Sequence, residues 1–142
     1  MNYGFGPMIK QLNNLITKKT YGLLDNPEYS NMSFANLQVV ELLYSSTEDV
    51  TQKDIESSLK INRATTSKML KLMEEKGYVT RTEAPDDSRK KLVFLTDKGK
   101  KYYLDNEKVI EYLDNYLSSV LTDSENEMLN IIYKKMVTAL SD

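Results

Sequence analysis

Cysteine and histidine are both missing from this 142-residue chain. Without Cys there is no disulfide, Cys-ligated zinc, iron–sulfur centre or thiol redox switch. Without His there is no Ser-His-Asp or Cys-His catalysis and no imidazole metal ligand. Glycine is scarce: its five copies are isolated, so no Gly-rich phosphate loop forms, and no D-x-D-x-D-G calcium loop is present. Long apolar runs are lacking as well. The longest is Leu92-Val93-Phe94-Leu95, far below the ~20 residues a spanning helix needs. The segment around Gly4, Gly6 and Pro7 has no charged stretch followed by an apolar one, so no signal peptide is expected and the protein should be cytoplasmic. No pair of acids falls in an identifiable cleft. An enzyme is therefore not expected, and neither a cofactor nor a metal is called for.

Apolar residues make up 40% of the chain, enough for one core. The net charge is −2, but it is unevenly spread. Residues 51–101 hold thirteen Lys and Arg against eight acids, a surplus of +5, which leaves −7 for the flanks. That division suggests a basic working face between acidic structural segments.

Periodicity divides the chain into six helices and a hairpin. Phe5, Met8, Ile9, Leu12, Leu15 and Ile16 recur at helical spacing in a first helix from about Pro7 to Leu24, broken by Asp25-Asn26-Pro27. Ser33 can cap a second helix whose stripe is Phe34, Leu37, Val40, Leu43 and Tyr44. Thr51 can cap a short third, with Ile55 and Leu59 inward. Asn62 can cap a fourth that turns Thr66, Met69, Leu70 and Met73 to one side and ends at Gly77. Two short helices joined by a tight turn make a helix-turn-helix. The period then changes to strand candidates at Tyr78–Glu83 and Lys91–Leu95, with turn residues Pro85-Asp86-Asp87-Ser88 between them. Thr96 can cap a long fifth helix, and Thr122-Asp123-Ser124-Glu125 opens a sixth. The fold class expected is mainly α (α+β), a winged helix-turn-helix with additional N- and C-terminal helices.

From Thr51 to Gly99 the chain resembles the MarR family of bacterial transcriptional regulators. The resemblance rests on Asn62-Arg63-Ala64-Thr65-Thr66-Ser67-Lys68, on Leu72–Arg81, and above all on Pro85-Asp86-Asp87-Ser88-Arg89 followed by Val93-Phe94-Leu95-Thr96-Asp97-Lys98-Gly99. A D-x-R wing followed at this distance by L-T-x-K-G is far more specific than a helix-turn-helix alone. Three departures stand out, the first being Glu56, where a small residue, commonly Ala, lets the two helices approach closely. Lys60 takes the place in the turn where Gly is common. Leu72 stands where a polar residue is common, so it is expected to face protein rather than solvent. The resemblance implies a single domain over 1–142, with the winged helix-turn-helix at about 33–96 and dimerisation helices at about 5–25 and 97–141.

If Thr66, Leu70 and Met73 face inward, then 100° per residue turns Ala64, Lys68, Lys71 and Glu75 outward, with Thr65 and Ser67 on the shoulders, and contact is expected to fade after Lys71 because Glu75 opposes phosphate. That short, polar and basic face suits a major groove about 12 Å wide. Arg63 and Lys68 can donate to guanine or phosphate, the hydroxyls to either, and Ala64 can touch a thymine methyl. Thr51 and Gln52, at a helix N-terminus, suit a phosphate. On the wing, Arg81, Asp87, Arg89, Lys90 and Lys91 are candidates. The resemblance implies that Arg89 enters the minor groove and that Asp87 braces the hairpin by pairing with an arginine, for which Arg81 is the candidate. It also implies a homodimer on a pseudo-palindromic operator in double-stranded DNA. A small anionic or aromatic effector is implied too, for which Met8, Tyr21, Phe34 and Tyr44 are candidate lining residues. The competing reading is a winged-helix protein-interaction module without DNA binding.

Overall fold

The computed structural model describes residues 4–141; residues 1–3 and 142, at the ends of the expected domain, lie outside it. Helix α1 (Phe5–Leu24) is followed by a 3-10 turn (Pro27–Asn31), α2 (Phe34–Ser45), β1 (Val50–Thr51), α3 (Gln52–Leu59) and α4 (Arg63–Glu75). The hairpin β2 (Val79–Ala84) and β3 (Asp87–Leu95) comes next, then α5 (Asp97–Ser119) and α6 (Asp123–Leu140). Ser33, Thr51, Asn62 and Thr122 each accept a backbone N–H from the first turn of the helix they precede, as their side chains allow. The hairpin is longer than the sequence suggests: its turn is only Pro85-Asp86, and β3 starts at Asp87. The unforeseen β1 pairs Val50 with Val93 and Thr51 with Leu92, giving an antiparallel sheet in the order β1-β3-β2. Among the described residues no helix is long and apolar enough to cross a membrane.

The chain forms two compact units, one of residues 21–107 and one of α1 up to Thr20 with the chain from Lys108 onward. The first is wider than the 33–96 expected for the winged segment, because the 3-10 turn and the start of α5 belong to its core. Tyr29 and Tyr102 pack there with Val39, Val40, Ile55, Leu70, Met73, Tyr78 and Val93, all buried. The stripe expected on α2 holds in its middle, where Val40 is buried and Leu37 and Leu43 pack against the core, but not at its ends, Phe34 and Tyr44. Val39 and Val40 are fully buried, whereas Phe34, at the first position of the helix and past the edge of this core, is 73% exposed.

The Thr96–Gly99 motif acts as a structural clasp. The Thr96 hydroxyl donates to the Gly77 carbonyl at 2.6 Å and accepts from the Gly99 amide at 3.1 Å. Lys98 donates to the Lys76 carbonyl at 2.8 Å and lies 4.8 Å from the centre of the Tyr78 ring. A Cβ on Gly99 would stand 2.3 Å from the Tyr78 carbonyl oxygen, a distance no side chain survives. Gly77 takes φ 87°, the left-handed turn that ends α4. These residues fix the start of the wing against the start of α5.

Lys60 holds φ 55° and ψ 44° at the end of α3, the left-handed conformation for which Gly is suited. Lys60→Gly is expected to stabilise the protein by up to about 1 kcal/mol, strain relief outweighing the extra freedom of the unfolded chain. A rise of a few degrees in Tm checks it; a fall would show that Lys60 is not strained.

Tyr29, Tyr78 and Tyr102 meet edge to face, at 4.9 Å (Tyr29–Tyr102) and 5.5 Å (Tyr78–Tyr102) between ring centres. Burial raises the pKa of all three above the ordinary 10, and for Tyr29 the hydrogen bond to Asp105 adds to this. The native state therefore keeps protons that the unfolded chain releases above pH ~10, so this stability is present below that pH and is lost as pH rises through it. Thermal melts should show Tm falling steeply above pH 10. Absorbance titration should leave three of the ten tyrosines protonated until unfolding. Ten tyrosines titrating together in folded protein would contradict this.

The second unit is built differently. Among its described residues Leu113 is the one buried large apolar side chain, while fifteen on α1, α5 and α6 are exposed. The stripes read from the sequence are thus present, but the single chain leaves them largely uncovered.

Candidate nucleic-acid interface

The helix-turn-helix is set by two caps. At α3, the Thr51 hydroxyl accepts from the Asp54 amide at 3.1 Å and Asp54 accepts from the Thr51 amide at 2.8 Å. The amides of Gln52 and Lys53 are left without intrahelical acceptors. At α4, Asn62 accepts from the Thr65 amide at 2.8 Å, and the buried Thr66 hydroxyl donates back to the Asn62 carbonyl at 2.8 Å. Thr66, Leu70 and Met73 are buried, so Arg63, Ala64, Thr65, Lys68 and Lys71 come out exposed and Ser67 half-buried. Leu72, expected against protein, is instead 47% exposed and lies on the rim of a shallow groove with Lys68 and Lys76.

The wing carries a feature the sequence did not show. Glu83 pairs with Lys91 but Ala84 pairs with Asp87, so Ser88, Arg89 and Lys90 are surplus on β3. Such a bulge turns side chains off the sheet. Asp87 accepts from the Arg89 amide at 3.0 Å and from its Nε at 3.1 Å, and these bonds hold the Asp87 carboxyl below the usual carboxylate range. The Arg89 side chain itself remains 90% exposed.

The arginine expected to pair with Asp87 does not. Arg81 lies on β2, well before the turn, and its guanidinium meets Glu74 of α4 and Gln52 of α3, each at 3.4 Å. Asp87 is satisfied locally by Arg89, two residues away. The Asp-x-Arg spacing is the signal that could have suggested this, since an Asx-type turn closes over that distance.

A groove of about 580 Å³ is lined by Thr51, Gln52, Lys53, Glu56, Arg63, Arg89, Lys90 and Lys91. Six of the residues proposed from the sequence thus meet at one place, with five cations against one acid. Lys91 also pairs with Glu83 at 3.3 Å.

Of the candidate effector residues, Tyr21, Phe34 and Tyr44 lie in the 21–107 unit. The Tyr21 hydroxyl donates to the Met32 carbonyl. Tyr44 stacks on Tyr103 at 4.3 Å. Phe34 lies at the other end of α2 from Tyr44, about 15 Å along the axis at 1.5 Å per residue. Met8 belongs to the other unit, where it is 52% exposed.

A helix-turn-helix followed by an antiparallel hairpin with a cationic tip defines a winged helix-turn-helix protein. Residues 30–90 match the family model described as MarR family, and over this segment the chain is similar to that family. It is 29% identical over 104 residues to the uncharacterized HTH-type transcriptional regulator YdgJ of Bacillus subtilis, covering 72% of this chain and 63% of that one. It is 26% identical over 87 residues to the HTH-type transcriptional regulator BilQ of Clostridioides difficile, covering 61% and 54%. The chain therefore spans less than two thirds of the length of these curated relatives. Its fold is similar to that in the crystal structure of the S. aureus MepR–DNA complex, with a TM-score of 0.82 at 23% identity, covering 98% of this chain and 100% of that one.

Proposed function

We propose that the protein is a cytoplasmic, sequence-specific DNA-binding transcriptional regulator rather than an enzyme, acting as a homodimer on a pseudo-palindromic operator. The observation that carries this reading is the cation-lined groove in which the wing bulge and the first turns of α3 and α4 meet. Arg63, Ala64, Thr65, Ser67, Lys68 and Lys71 then read the major groove. Arg89, with Lys90 and Lys91, follows the minor groove, where an arginine reads width rather than base identity. Thr51 and Gln52 hold a phosphate at the start of α3.

The exposed apolar faces of α1, α5 and α6 support the dimer, since patches of this extent mark association surfaces. A two-fold pair places its reading helices ~34 Å apart, one turn of the double helix. Repression relieved by a small anionic or aromatic effector completes the reading, and that part is supported by the family alone.

Salt titration tests the proposal, using a duplex selected by the protein from a random-sequence library. Phosphate neutralisation predicts log affinity falling linearly with log salt, with a slope of about −0.9 per phosphate contacted. Failure to select a duplex at low salt, or an affinity indifferent to salt, would leave the protein-interaction module as the better account.

A further inference from the structure

Arg81 is the cation of the wing that the groove leaves out. Its side chain is 19% exposed, and its Nε is buried with no partner among the described residues, so that atom cannot reach a phosphate. Its contacts run inward. The Arg81 amide donates to Glu74 Oε2 at 3.0 Å, Nη2 donates to Glu74 Oε1 at 3.4 Å, and Nη1 donates to Gln52 Oε1 at 3.4 Å. Three elements are joined through one guanidinium: β2 at the root of the wing, the end of α4, and the first residue of α3.

The consequence lies at Gln52. A carboxamide has an acceptor oxygen and a donor nitrogen, and only the nitrogen attracts a phosphate. With Oε1 occupied by a cationic donor, Nε2 is the end left for the groove that Gln52 lines. Flipped, the amide would present its oxygen to the phosphate and a donor to the guanidinium, both repulsive. We propose that Arg81 is a positioning residue, anchored by Glu74, that sets the polarity of the Gln52 amide so that Nε2 donates to a backbone phosphate. The inference rests on the DNA-binding reading and specifies how one contact in it is made.

The test compares Arg81→Lys, Arg81→Met, Glu74→Gln, Gln52→Met and the double variant Gln52→Met/Arg81→Met in the full chain, on the duplex selected by the wild-type protein. Arg81→Lys keeps the charge but not the planar fork, so it is expected to lose about as much affinity as Arg81→Met, on the order of tenfold as for one lost polar contact. Glu74→Gln is expected to weaken binding although it removes a negative charge from the reading helix, opposite in sign to a simple field effect. The double variant is expected to bind no worse than the poorer single variant, and the salt slope is expected to stay at its wild-type value throughout, because no phosphate charge contact is lost.

Retained affinity in Arg81→Lys with a slope reduced by about one in Arg81→Met would make Arg81 a direct phosphate contact and overturn the proposal. Additive losses in the double variant, or tighter binding by Glu74→Gln, would overturn it too. Circular dichroism melts identify any variant that fails to fold, and Glu74→Gln, which keeps size and shape, carries the test if the Arg81 variants do. If the wild-type protein selects no duplex, the DNA-binding reading falls and takes this one with it; wild-type binding with additive variants removes this one alone.

Discussion

Arg89→Ala will lower affinity for the selected duplex by about 10- to 100-fold, the cost of one specific arginine contact, and will leave the melting temperature nearly unchanged. The two halves of this expectation have separate grounds. The Arg89 side chain is 90% exposed and, among the described residues, is held by Asp87, two residues away on the same strand. An exposed pair of this kind contributes only ~0–1 kcal/mol, so the sheet does not depend on it. In the bound state an arginine in a narrow minor groove meets the strongest negative potential of the duplex. The salt slope should fall by about one. Fluorescence anisotropy on the wild-type and variant proteins reads affinity and slope together. Unchanged affinity would take the wing out of the mechanism, and a collapsed melting temperature would mean that the bulge is a structural element.

Ending the chain after Leu121 removes α6 and is expected to yield monomers with at least ~100-fold weaker binding, because two linked reading heads become one. Met128, Leu129, Ile132, Tyr133 and Val137 of this helix are each more than 40% exposed in the single chain. The core of the 21–107 unit contains none of them. A charge in the middle of the face, Leu129→Glu in the full chain, should give the same result without shortening the protein. Light scattering gives the mass, and binding to whole and half operators gives the affinity. A truncated chain that stays dimeric and binds at full strength would exclude α6 from the interface.

Legibility in the sequence followed the range of the interaction. Ser33, Thr51, Asn62 and Thr122 reveal themselves because a cap is made within three residues, by a side chain suited to little else there. The buried face of α4 is equally plain, since period alone places Thr66, Leu70 and Met73 together. Phe34 misled because an apolar residue in phase with a stripe is not in the core when it stands at the helix end. Arg81 misled for another reason. Its partners Glu74 and Gln52 are seven and twenty-nine positions away, and only the path of the chain around Gly77 and across the sheet decides which acid it meets. The register shift opposite Glu83 had no marker in composition, though it determines how Arg89 is presented.

That shift has an evolutionary corollary. Ser88, Arg89 and Lys90 lie between the ladder that ends at Glu83–Lys91 and the single pair Ala84–Asp87, so none of the three has a partner on β2 in that ladder. Lineages carrying this architecture are free to retune preference for groove shape at the fingertip while the hand stays the same.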